Sequence, residues 1–158
     1  MIGFFNPKYV IDTGPIIDLK GYYSEVFVTL WENIDGLIRQ GDIISTREVY
    51  RELQKRDDEA KAIADKYKFI FRAPSLEEQS YVSEILRNHK ELIKFKNITS
   101  GLPVADPFVI ALAICNKSIL ITSELYKANS HNIPNICKEY DIKCISLKEF
   151  FKLEGWKF

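Results

Sequence analysis

The sequence has only three cysteines, Cys115, Cys137 and Cys144, and no C-x-x-C pair among its 158 residues. An odd count without an export signal argues against a disulfide framework or a thiolate zinc site, so buried thiols in a reducing compartment are expected. No apolar run approaches the roughly 18 residues of a membrane span, and the opening MIGFFNPKYV lacks a basic region leading into a long apolar stretch. A cytoplasmic location without a membrane partner is the expectation. There is no G-x-G-x-x-G and no P-loop, which removes support for nucleotide binding by a glycine cradle. Neither sign of charge is in excess, with 22 acids against 22 bases. Neutrality names no partner, because a local patch binds nucleic acid as well as a global excess does. Neither His89 nor His131 has a second His at ligand spacing, and both read as surface residues.

What the chain does have is an ordinary globular composition, 46% apolar and 28% charged, at a length that suits one domain over residues 1–158. Residues 9–11 read as a short buried strand, ended by Asp12-Thr13-Gly14-Pro15 as a turn into a short helix. Between 24 and 39, apolar residues recur at three and four positions, the spacing of an amphipathic helix that Gly41-Asp42 stops. Residues 43–45 form a second strand, and Thr46 is placed to cap the helix carrying Val49, Tyr50 and Leu53. A polar helix over 57–67 and a third strand at 69–71 follow. Ser75 and Glu78 then match a capping box opening a helix to about His89.

The stretch 91–103 has no readable pattern. Residues 105–115 are apolar around most of the circumference, as in a helix buried on the sheet. A fourth strand at 118–122, a loop at 127–134, a helix at 135–140, a fifth strand at 143–146 and a helix at 147–153 complete the chain. This alternation implies right-handed βαβ units. The expected fold is a three-layer α/β/α arrangement around a central, mostly parallel sheet of about five strands. Its functional cleft lies outside the carboxyl ends of the strands.

That rule gives meaning to the acids. Asp12 directly follows the first strand, and Glu124 lies two residues beyond the fourth. Glu48 and Glu52, four apart, share one face of the helix leaving the second strand. Asp106 precedes Pro107 at the opening of the apolar helix. Singly, each has a structural explanation: Asp12 and Asp106 as helix caps, Glu48 against a helix dipole, Glu52 paired with Arg51 or Lys55. Together they would repel one another in a cleft unless a cation offsets the repulsion, and a hard ion such as Mg²⁺ or Mn²⁺ is the usual solution. Such an ion acidifies water and stabilises charge on a phosphoryl oxygen, the chemistry of phosphodiester hydrolysis.

The pieces VIDT (10–13), STREVYREL (45–53), ADPFVIALA (105–113) and LITSE (120–124), in this order, resemble the PIN-domain nucleases. The C-terminal IPNICKEYDIKCISLKEFFKLEGWKF is similar to that of a PIN subfamily catalogued as a domain of unknown function. The resemblance implies that Asp12, Glu52, Asp106 and Glu124 are the catalytic, metal-binding acids, with Glu48 a second candidate beside Glu52. Thr13 and Thr122 would orient acids or waters. Where many members carry a polar residue after the D-T pair, this chain has Gly14-Pro15. Small members resemble VapBC-type toxins, which cleave RNA and form dimers. That implies an endoribonuclease restrained by a protein antitoxin, with a homodimer as its assembly. Lys20, Arg47, Arg51 and Lys127 are candidate phosphate contacts.

Two other classes compete. A non-catalytic PIN module acting in protein binding would fit Gly14-Pro15 and the Glu at 124. A dehalogenase-type phosphatase would want an Asp where Gly14 stands, and a receiver domain would want a paired acid before its phosphoacceptor strand.

Overall fold

The computed structural model describes residues 6–92 and 105–158. β1 (Tyr9–Ile11) is wholly buried and runs straight into α1 (Thr13–Leu19). α2 (Val28–Arg39) buries Leu30, Ile34, Leu37 and Ile38, the positions that fall on one face at helical spacing. β2 (Ile43–Thr46), again buried throughout, leads into α3 (Arg47–Gln54) and α4 (Glu59–Lys66). After β3 (Phe71–Arg72) come α5 (Leu76–Asn88) and α6 (Asp106–Asn116). The chain closes with β4 (Ile119–Ile121), α7 (Ile133–Glu139), β5 (Cys144–Ile145) and α8 (Leu147–Leu153).

The five strands form one sheet in the order β3-β2-β1-β4-β5, and every pairing is parallel. The α/β expectation therefore holds. From β1 the chain moves outward to β2 and β3, then returns to β4 on the other side of β1. With right-handed crossovers this reversal puts α1 to α4 on one face and α5 to α7 on the other. The helix contacts agree, since α1 packs on α3 and α4, whereas α6 packs on α5 and α7. α6 also lies against β1 and β2, which explains why Val109, Ile110, Leu112 and Ala113 are buried. The crevice where the order reverses, between the ends of β1 and β4, is the position at which such sheets open a site.

Several expectations shift. Residues 69–71 are not a strand: Lys68–Ile70 form a 3₁₀ turn, and only Phe71 and Arg72 pair with β2. Phe69 points outward, under the Arg39 guanidinium. Gly14-Pro15 does not make a turn but lies in the first turn of α1, where the missing proline N–H costs nothing. α2 begins at Val28 rather than 24, because the Val26 and Phe27 amides bond back to Tyr23 as a turn. α7 starts two residues early, with Pro134 in its first turn. Gly41 ends α2 as expected, at φ +83°.

The Ser75–Glu78 capping box is formed in both directions, and Ser146–Glu149 makes a second one at α8. Thr46 holds the N-cap position of α3, yet its hydroxyl makes no capping bond. The stretch 91–103 falls almost wholly outside the described residues. Of the terminal aromatics, Tyr22, Trp31, Phe150, Phe151 and Trp156 pack on the core, while Tyr23 and Phe158 are exposed.

Candidate metal centre

Asp12 is only 6% exposed, held where β1 becomes α1 by its backbone N–H donating to Ile121 O at 3.0 Å. The Thr122 hydroxyl donates to Asp12 Oδ2 at 3.0 Å. The same hydroxyl accepts the Glu124 N–H at 3.2 Å, so one side chain at the end of β4 fixes two acid-bearing residues. Asp12 stands at the N-cap of α1 but makes no capping bond, and Asp106 is the first residue of α6 rather than its cap. The simple capping explanation is therefore absent for Asp12.

Electrostatics draws three of these acids together. Burial pushes the Asp12 carboxyl up to about 7, helped first by the charge of Asp106 and then by that of Glu124. The Thr13 amide and the Thr122 hydroxyl pull the other way without cancelling the rise. Asp106 is itself buried, at 6% exposure, beside the opening of α6. Glu124 is half-buried, and its Oε1 accepts the Ile133 N–H at 3.3 Å, which ties it to the first turn of α7.

Glu52 and Glu48 part company despite their spacing of four. Glu52 Oε2 accepts from the Thr13 hydroxyl at 2.6 Å, and its Oε1 from the Ala105 N–H at 3.3 Å. It thus bridges the residues adjoining Asp12 and Asp106. Glu48, 3% exposed, turns instead to Arg51 Nη1 at 3.0 Å and Arg47 Nε at 3.6 Å. Neither Arg51 nor Lys55 is paired with Glu52 among the described contacts.

The basic candidates are dispersed. Arg47 and Arg51 sit on Glu48, and Lys20 reaches Asp58 at 3.4 Å. Lys127 is exposed in the loop after Glu124, with its backbone held by the Asn135 side chain.

Three features lay beyond what the sequence located; the burial of a thiol was expected, but its place behind the acids was not. A Cβ at Gly14 would come within 2.7 Å of Ser123 Oγ and 2.9 Å of Ser123 Cβ, so only glycine admits this approach. Ser123 in turn donates to Asp18 Oδ2 at 3.0 Å. His89 is not a surface residue: at 6% exposure it turns inward as α5 ends, its Nδ1 lying 2.7 Å from His131 Nδ1 and its Nε2 2.9 Å from Glu139 Oε2. His131 Nε2 lies 3.4 Å from Glu91 Oε2. Finally, Cys137 is buried behind the acids. Cys144 beside it raises its thiol pKa, as do burial and the charges of Asp12 and Glu124, so it remains a neutral thiol there. Only contacts between segments far apart in sequence create these features, and no local pattern announces them. All three cysteines are free.

Among the described residues, no group of three or more His, Cys, Asp or Glu side chains stands close enough to hold a metal ion as the side chains are placed. What the acids offer is oxygen donors at neighbouring element ends. That donor set suits a hard cation which keeps several waters, and does not suit a thiophilic ion.

A family model described as "Domain of unknown function (DUF4411)" matches residues 9–158. No curated protein matches the sequence. Among solved structures, a chain of "Crystal structure of VapBC2 from Rickettsia felis bound to a DNA fragment from their promoter" is similar in fold. The likeness covers 87% of this chain and 97% of that one, at a TM-score of 0.52 and 13% identity. Among the described residues, no helix is long and apolar enough to cross a membrane.

Proposed function

Because the chain belongs to the DUF4411 family and shares its fold with a VapBC2 chain, we propose that it is a Mg²⁺- or Mn²⁺-dependent endoribonuclease. The observation that carries this reading is the Asp12 carboxyl, buried at the switch point and pushed up to about 7 by burial and by the charges of Asp106 and Glu124. A cleft built this way opposes its own ionisation until a cation enters it. Asp12, Glu52, Asp106 and Glu124 would hold the ion, which when bound acidifies a water and offsets charge on the phosphoryl oxygen.

The residues around the acids have separate tasks. Thr122 commits its single proton to Asp12 and thereby fixes the orientation of the carboxylate. Thr13 orients Glu52 in the same manner, and the Ala105 N–H holds Glu52 against the start of α6. Likeness to a VapBC2 chain supports a toxin of a toxin–antitoxin pair with a protein antitoxin as partner, and the homodimer is proposed on the family resemblance alone. A second reading, a protein-binding module without catalysis, draws on one observation. The Glu124 carboxylate already accepts the Ile133 N–H and would approach a metal through water.

The test is calorimetric titration with Mn²⁺ alongside cleavage of single-stranded RNA, using wild type, Asp12→Asn and Asp106→Asn. Saturable binding and cleavage, both lost in the variants, are expected. Absence of saturable binding in wild type would sink the nuclease reading and leave the binding module.

A further inference from the structure

The edge of the sheet that bears the acids continues, beyond β2, into a depression of about 400 Å³ between the end of β3, α5 and the first turn of α6. Its volume lies in the range of small-molecule sites, roughly 300–1,000 Å³. Phe108, two residues after Asp106 and half-buried, lines one side, and Gln79 and Ser83 of α5 line another. Arg47 and Glu48 complete the wall.

One of these side chains carries unspent hydrogen-bonding capacity. Arg47 Nε is shut off from solvent and makes no hydrogen bond among the described residues; Glu48 Oε1, at 3.6 Å, is too far to accept one. Glu48 beside it is a buried carboxylate held by Arg51 Nη1 at 3.0 Å on Oε1. An orphaned donor costs free energy, so Arg47 favours a ligand that brings an acceptor to it, and the Glu48 carboxylate beside it favours one that also carries donors.

The chemistry discriminates between ligands. A phosphate would meet the Glu48 carboxylate and be repelled, and a purely apolar ligand would leave Arg47 unmatched. A nucleobase satisfies both demands: its face stacks on an aromatic ring, and its edge carries acceptors and donors side by side.

We propose that this depression takes one unpaired nucleobase of the RNA, stacked on Phe108 and read at its edge by Arg47 and Glu48. Guanine is the best match, with O6 and N7 accepting from the guanidinium while N1–H and the N2 amino group donate to the carboxylate. Phe108 follows Asp106 by two residues in α6, so the depression and the acids belong to the same end of the sheet, and one RNA strand would have to span both. Base choice would then be made on the Asp106 side of the site. The inference rests on the nuclease reading for the identity of the ligand as RNA.

The test uses the full chain in EDTA, where hydrolysis is suppressed, with fluorescently labelled single-stranded octaribonucleotides: oligo-U, and oligo-U carrying one central A, C or G. Anisotropy should show the G-containing strand binding roughly tenfold tighter than oligo-U. Phe108→Leu should lose roughly tenfold in affinity for the G-containing strand while Phe108→Tyr retains it. Arg47→Met should abolish the preference for G, so that the G-containing strand and oligo-U bind the variant equally. Circular dichroism of each variant separates loss of the ring from loss of the fold.

Equal affinity for all four strands, or a Phe108→Leu protein that is folded and unchanged, overturns the proposal. Failure of the nuclease reading looks different. Without Mn²⁺-dependent cleavage but with a G preference that depends on Phe108, the base pocket stands and catalysis falls. With cleavage that ignores both base identity and Phe108, catalysis stands and the pocket falls.

Discussion

Asp12→Asn should make the metal-free protein more stable. The wild-type carboxyl moves from an ordinary value of 3.8 to about 7 on folding. For an acid raised in this direction, the unfolded chain ionises first, so folded stability falls as pH climbs from about 4 to about 7 and then levels off. Below pH 4 both states are protonated and the penalty vanishes. Three pKa units correspond to about 4 kcal/mol at pH 8, an upper limit that relaxation around the site would reduce.

Asparagine removes that penalty and keeps much of the local geometry, because its carbonyl accepts the Thr122 hydroxyl as Asp12 Oδ2 does. Its neutral side chain no longer meets the charges of Asp106 and Glu124 that raised Asp12. Urea denaturation in EDTA at pH 8 should therefore give a variant more stable by about 2–4 kcal/mol, a rise in Tm of very roughly 4–16 °C. The gap should close as pH falls towards 4. With Mn²⁺ the order should reverse, because only wild type gains binding energy. A variant less stable than wild type in EDTA, or a gap that does not vary with pH, would refute the account of Asp12 as an acid held against its own repulsion.

Other perturbations probe the neighbours. Glu52→Gln should weaken Mn²⁺ binding at least tenfold, whereas Glu48→Gln should leave it within twofold and cost about 1–3 kcal/mol in urea denaturation by stranding its arginine partners; equal metal affinities would overturn the assignment. Gly14→Ala should destabilise by about 1–3 kcal/mol, since its Cβ meets Ser123 at 2.7 Å, and Ser123→Gly should restore most of the loss. A double-mutant cycle with no coupling would refute that contact. His89→Leu should quicken hydrogen exchange around Asn132 and Ile133 by severing the tie from α5 to His131, and unchanged exchange there would count against such a tie.

How far the sequence could be read follows from the range of each interaction. β1, β2, β4 and the helix over 105–115 were legible because an apolar run or a cap is written within a few residues. Phe69–Phe71 misled for the same reason: an apolar triplet looks like a strand, but whether it pairs depends on β2, and only its last residue does. The acids were legible as a set, because each stands at the end of a readable element. Their individual roles were not. Helical spacing put Glu48 and Glu52 on one face, while their partners came from α3 itself in one case and from α1 and Ala105 in the other. His89 and His131 read as surface residues because nothing local records that two segments 42 residues apart meet.

The pairing of β1 with β4 sets a timetable for synthesis. Asp12 leaves the ribosome early, but Thr122, which fixes it, and Asp106 and Glu124, which share its cleft, are made more than ninety residues later. At about 5–20 residues per second that interval is roughly 5–20 seconds. For all that time the nascent chain carries its first acid without the others, so the cluster of Asp12, Asp106 and Glu124 cannot be complete on an unfinished chain. Under the proposed function, a chain made in this order would stay inert beside the ribosome, mRNA and tRNA engaged in building it.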